Sequence, residues 1–131
     1  MTRRYIKGEM EQTRAYSPAV ITTNSKNIIW LAGQGAITDD NGKSLAGDFE
    51  AQTRMTFSLM SKTLDKAGGK LKDIVTMTVY LLDVRHGDRF VEIRREYFSE
   101  GNFPGSALLT VAGFGHPDMM VEIQAIAVID G

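Results

Sequence analysis

Residues 73–84 read DIVTMTVYLLDV, a run whose β-branched and aromatic content marks a β-strand. Strand periodicity puts Val75, Met77, Val79 and Leu81 on one face, all apolar, and Ile74, Thr76, Thr78, Tyr80 and Leu82 on the other, weakly polar at most. A strand with two dry faces needs cover on both sides. Helices of the same chain can supply one cover. The other points to another subunit.

The flanking sequence supplies the helices. Asp48 is placed to cap a helix running to Lys66, with Phe49, Thr53, Thr56, Phe57, Met60 and Leu64 at steps of three and four on one face. Gly68-Gly69 ends it. Asp88 is placed to cap a second helix to Ser99, with Phe90, Ile93 and Tyr97 inward and Gly101 as its stop. Upstream, RRYIKG reads as a short edge strand, and Ala19–Asn24 and Asn27–Gln34 as two strands of a hairpin. Asn41-Gly42 marks a tight turn. Downstream, Ser106–Ala112 reads as a strand reached by a right-handed crossover. The closing MVEIQAIAVI puts Val121, Ile123, Ala125, Ala127 and Ile129 on one uninterrupted face. Strands, helix, strand, helix, strand, strand is an α+β order with both helices on one face of a mixed sheet. The bare face predicts a closed homo-oligomer.

Bulk properties narrow the functional classes. A chain of 131 residues, 43% hydrophobic, fits one domain over residues 1–131 that buries roughly two-thirds of its unfolded surface. A net charge of −1 and a pI near 6.1 supply no pull toward nucleic acid. The absence of cysteine removes thiol nucleophiles, disulfides and Cys-ligated zinc. No apolar run approaches the ~18 residues of a membrane span, and the first residues form no signal core. The expectation is a cytoplasmic protein with no membrane or nucleic-acid partner, no metal and no cofactor.

Few residues remain that could carry chemistry. Glu122 sits between Val121 and Ile123, so alternation turns it off the main apolar face. On a subunit interface its carboxylate would be partly desolvated, which suits a group that orients or deprotonates water. On a bare strand end it would be a solvated acid. His86 and His116 both lie among turn residues without metal-binding spacing. Tyr16 and Ser17 precede a strand, and Pro18 keeps Ser17 extended. Arg85, Arg89, Arg94 and Arg95 read as a solvated helix face with Glu92 and Glu96. Residues 101–117, GNFPGSALLTVAGFGHP, hold no Asp, Glu, Lys or Arg in a chain that is 24% charged, where about four would be ordinary.

YSPAV, WLAGQGAITDDNGKSLAGDFEAQTR, LDKAGGKLKDIVTMTVYLLDV, the FP before the fifth strand and the closing VEIQAIAV together resemble the Rid (YjgF, endoribonuclease L-PSP-like) family over about residues 15 to 129. The resemblance implies a chorismate mutase-like α+β fold packed as a barrel-forming homotrimer, with three clefts between subunits that take a small molecule. It implies hydrolysis of enamines or imines, such as 2-aminoacrylate, to a keto acid and ammonia without cofactor or metal. Carried over, Tyr16, Gly33, Gln34 and Glu122 match the family's cleft residues, Glu122 being the residue that positions water.

The same resemblance exposes departures. The family's Pro-Ala-Arg-Ser segment reads Pro104-Gly105-Ser106-Ala107, so Ser106 stands where a carboxylate-binding Arg is expected. Ala32 replaces a Ser, Val91 an Asn and Thr76 a Lys. Arg94, on the helix beside the same strand, is the candidate replacement cation. Failing that, Leu108, Val111 and Phe114 suggest a less polar ligand. The expected function is a deaminase-type hydrolase with altered substrate range. The alternative is a trimer that binds a small molecule or regulates without chemistry. The ribonuclease of the family's older name is disfavoured by the acidic pI and the lack of a basic, aromatic-lined groove.

Overall fold

The computed structural model describes residues 1–131. Its centre is the strand that opened the sequence reading, β4 (Ile74–Leu81), flanked by β6 (Val121–Ile129) and β5 (Gly105–Thr110). With β3 (Asn27–Gln34) they form a four-stranded sheet in the order β3-β6-β4-β5. β4 and β5 run parallel, and the other pairings are antiparallel. A sheet of this order needs a crossover between β4 and β5, which α3 (Gly87–Arg95) provides.

α2 (Phe49–Lys66) has the ends and the face that its sequence predicts. The Asp48 side chain accepts from the Ala51 amide, satisfying one of the orphan donors of the first turn. Gly68, at φ +85°, lets the amides of Gly68 and Gly69 reach back to the carbonyls of Asp65 and Leu64, a closure that a left-handed residue makes possible. Phe57, Met60 and Leu64 are wholly buried, each contributing about 1.5–3 kcal/mol of transfer free energy. They meet Met77, Val79 and Leu81 of β4 and Ile123, Ala125 and Ala127 of β6 in one cluster, together with Phe90 and Ile93 of α3. The fold is therefore α+β with the helices on one face of a mixed sheet.

Four local expectations change. The strands at residues 19–24 and 27–34 are present but do not pair with each other. β2 (Ala19–Thr23) pairs with β1 (Thr2–Ile6) in a separate ribbon. Asn24 is left-handed, at φ 55°, and the chain then turns so that the Lys26 amide donates to the Ile129 carbonyl and β3 runs along β6. In β4 the pairing slips between Ile74 and Thr76. That bulge turns buried Ile74 inward and leaves Val75 half-exposed. α3 ends at Arg95, short of Ser99. Its start is not capped by Asp88: His86 is the N-cap and makes no side-chain capping bond, and the chain enters through a single 3-10 turn at Val84–His86 that Asp83 caps, its carboxylate accepting from the Arg85 amide. A short helix absent from the sequence reading, α1 (Glu9–Thr13), follows β1 with Glu9 and Glu11 in its first turn, where negative charge is favoured.

The second sheet face carries Ile28, Trp30, Thr76, Thr78, Tyr80, Ala107, Leu109, Glu122, Gln124 and Ile126, by the registers and the alternation of the strands. Nothing in the chain covers it: Trp30 is 72% exposed, Ile28 51% and Leu109 48%. Both edge strands, β3 and β5, lack any charged residue. Exposed edges are ordinarily guarded by charge, which these two lack, and an apolar face of this extent marks an interaction surface.

Candidate functional site

Two groups of candidate residues form, on opposite faces of the sheet. On the uncovered face, Glu122 lies opposite Tyr80 in register. Its carboxylate packs over Gly33, where a Cβ would come within 2.6 Å of Glu122 Oε2. Gly33 is therefore needed for close approach, and the carboxylate itself makes no hydrogen bond or ion pair within the chain. The neighbouring Gln34 does not join it. The β3–β6 pairing slips between Leu31 and Gln34, so Gln34 turns to the helix side and donates to Thr63 Oγ1 of α2 at 3.1 Å. The bulge thus sets the Gln34 side chain and Glu122 on opposite faces of the sheet.

The other group lies on the helix side, at the edge made by β5 and α3. Ser106 shares a face with Met77, and Leu108 with Val79. A pocket of about 300 Å³ is lined there by Arg14, Tyr16, Val91, Arg94, Ser106 and Leu108. Arg94 does not belong to a solvated arginine face: it is only 2% exposed. Its Nη1 donates to Ser106 Oγ at 2.7 Å and its Nη2 to the Arg14 carbonyl at 3.0 Å. Its Nε is buried without a partner, and no carboxylate pairs with it. Burial first, then the neighbouring Arg14 charge, pulls its pKa down to about 10, with Tyr16 acting in the opposite direction. Arg94 thus remains a cation at neutral pH. Four other arginines make surface pairs: Arg89 with Glu92 and Glu50, Arg54 with Glu50 and Glu96, Arg95 with Glu100 and Arg85 with Asp83.

The loop that presents Arg14 and Tyr16 is held in an unusual conformation. Ala15 is wholly buried at φ 58°, a left-handed state costing about 1–2 kcal/mol for a residue with a Cβ. The Ser17 amide donates to the Pro104 carbonyl, and Ser17 Oγ to the Phe103 carbonyl. These bonds tie the loop to the start of β5. They set the Arg14 carbonyl on Arg94 and the Tyr16 ring 6.0 Å from its guanidinium carbon.

Tyr16, Arg94 and Ser106 are thus brought together, as are Gly33 and Glu122. Arg14 was missed by the sequence reading because an alanine carries no signal for the left-handed turn that aims it. Of the three apolar residues, Leu108 lines the pocket beside two arginines, and Val111 and Phe114 are not among its lining residues. Nowhere do three or more His, Cys, Asp or Glu side chains gather as metal ligands. No helix is long and apolar enough to cross a membrane.

The family described as endoribonuclease L-PSP matches residues 7–129, nearly the whole of this arrangement. The chain belongs to the Rid (YjgF) family. Among its Rid relatives, a RutC family protein of Pyrococcus abyssi is 34% identical over 101 residues, 77% of this chain and 78% of that protein. The 3-aminoacrylate deaminase RutC of Acinetobacter baylyi is 31% identical over 111 residues, 85% of this chain and 86% of that enzyme. The solved Rid protein YyfB of Yersinia pestis superposes with a TM-score of 0.85 at 22% identity, covering 98% of this chain and 100% of the other. At that identity the superposition speaks for the fold. The Rid match starts after β1, so the outer strand of the β1–β2 ribbon lies outside it.

Proposed function

We propose that this Rid protein hydrolyses the C–N bond of a small imine or enamine, in a cleft completed by a neighbouring copy within a homotrimer. Glu122 carries the reading. It is a half-buried carboxylate with no partner in its own chain, packed over a glycine on a sheet face that nothing in the chain covers. A second subunit seated on that face would enclose it and bring it toward the Arg94 pocket of its neighbour.

The chemistry then needs no group beyond the chain and water. Arg94, backed by Ser106, anchors the substrate carboxylate, and the Tyr16 ring packs against the substrate body. The Gly33 amide binds a polar atom. An enamine first tautomerises to its imine. Glu122 orients a water and takes its proton as the oxygen adds to the imine carbon. That proton is returned to nitrogen to give a carbinolamine; Glu122 then carries the remaining proton of the added water from the hydroxyl to the amine, the C–N bond breaks with its electron pair leaving as ammonia, and the carbonyl product remains. Imine plus water gives carbonyl compound plus ammonia. General-base assistance of this kind contributes about 10²–10⁴-fold. The deaminase relative among the matches supports the reaction class.

The test is imine hydrolysis. An amino-acid oxidase generates imines in situ, semicarbazide traps them, and active protein lowers the trapped product. Glu122→Gln is expected to abolish that suppression, a loss of about 10²-fold or more, with an unchanged sedimentation coefficient for the trimer. Full activity in the variant removes Glu122 from the chemistry. A monomer in the wild type removes the cleft.

A second reading has its own observation. In a single chain the Arg94 pocket and Glu122 lie on opposite sheet faces, so the pocket can hold an anion without the carboxylate. A trimer that binds a small acid and turns nothing over would show ligand binding with no suppression of the trapped imine.

A further inference from the structure

The helix-side pocket holds more positive charge than one carboxylate requires. Its six lining residues include two arginines and no acid. A guanidinium offers five N–H donors. Arg94 uses one on Ser106 and one on the Arg14 carbonyl, and its Nε remains without a partner. An uncompensated buried cation is costly to keep unless something pairs with it. The second cation, Arg14, is held differently. Its Nη1 donates to Asp88 Oδ1 at 2.7 Å, and the Asp88 side chain is 87% exposed. An exposed pair of that kind contributes little and is readily exchanged. Arg14 can therefore leave Asp88 for an acceptor inside the pocket, and Asp88 loses nothing that water cannot replace.

We propose that the pocket selects small dicarboxylates. One carboxylate is held by Arg94 with Ser106, and the second displaces Asp88 from Arg14. The volume, about 300 Å³, lies at the small end of ligand sites and suits a four-carbon diacid. This rests on the preceding reading in one respect, that the Arg94 pocket is the substrate pocket. It deepens that reading by naming the class, an imine or enamine derived from an acidic amino acid.

Binding separates the inference from catalysis. Titrations of the intact protein with succinate, butyrate and inorganic phosphate, followed by calorimetry or amide chemical shifts, compare two carboxylic acids of equal chain length with a compact inorganic anion. Succinate is expected to bind at least tenfold more tightly than butyrate, the ratio a second charge-assisted contact supplies. Arg14→Gln should bring that ratio close to one. Arg94→Lys should weaken both acids, because an ammonium cannot reproduce the planar fork. Equal affinity for the two acids in the wild type overturns the proposal, as does an unchanged ratio in Arg14→Gln. Preference for phosphate over succinate also overturns it, since one compact dianion would then satisfy both cations. The expected binding pattern with no imine hydrolysed would leave the diacid site standing and remove the hydrolase.

Discussion

Gln52 of α2 and Arg94 of α3 are both polar side chains buried to within 2% of complete, and the protein treats them in opposite ways. Gln52 is satisfied at both ends. Its amide nitrogen donates to the carbonyls of Leu45 and Asp118, and its oxygen accepts from the Met120 amide. It staples the segment before α2 to the segment that leads into Glu122. Arg94 has only part of its donor set used and no counter-charge. Buried polar groups that complete their bonds specify a fold, whereas one left incomplete is a cost that folding does not require. The difference separates a structural polar residue from a binding one without reference to any relative.

Substitution should give the two residues opposite signs. Gln52→Leu keeps the volume but leaves the Met120 amide and the Asp118 carbonyl unpaired, while the Leu45 carbonyl keeps the Asp48 amide, so a loss of about 2–4 kcal/mol is expected, read as a lower midpoint in urea at unchanged slope. Arg94→Met should stabilise by about 1–2 kcal/mol and so raise the same midpoint, because removing an uncompensated buried charge more than offsets the two hydrogen bonds lost. It should also abolish acid binding. A destabilised Arg94→Met would mean that the charge is compensated and the comparison fails.

What could be read in the sequence follows the same division. α2 was legible because its cap, its stop and its buried face are all local: Asp48, Gly68-Gly69 and the steps from Phe49 to Leu64 are each a matter of chain neighbours. The need for a second covered face was legible from β4, since alternation alone sorts its side chains. Strand partners were not. β2 and β3 are adjacent in sequence, yet each pairs with a chain end, β1 and β6, over long separations. The bulge at Leu31–Gln34 was hidden for the same reason, and it is what divides Gly33 from Gln34. Arg94 was named as a candidate from its nearness to Ser106. Its burial was not legible, because arginines interleaved with glutamates on a helix ordinarily face water, and only the tertiary fit of α3 against β5 shows which one turns inward.

Ser106→Ala tests the smaller half of the contrast. It removes one of Arg94's two acceptors and leaves the other, so stability should change by about 1 kcal/mol. Acid binding should weaken only a fewfold, since the hydroxyl orients the guanidinium and the charge persists. A loss as large as that of Arg94→Met would make Ser106 the primary contact.

The smallest effect expected is that of pH across the neutral range. Burial and Arg14 lower Arg94 to about 10, so the unliganded pocket keeps its charge from pH 6 to pH 9 and loses it as pH rises through about 10. Because this base is held below its unfolded value, the unfolded chain binds the extra proton above pH 10. Its contribution to stability is therefore unfavourable at neutral pH and is relieved on the alkaline side, opposite in sign to the change in affinity. Succinate affinity should stay flat to pH 9 and fall above about pH 10. The bound acid itself favours the charged guanidinium and shifts the fall upward as ligand concentration rises. A histidine anchor would instead lose affinity through about pH 6.5. A decline in that lower window would transfer the anion from Arg94 to an imidazole, and the incomplete hydrogen bonding of Arg94 would then have to be explained by packing alone.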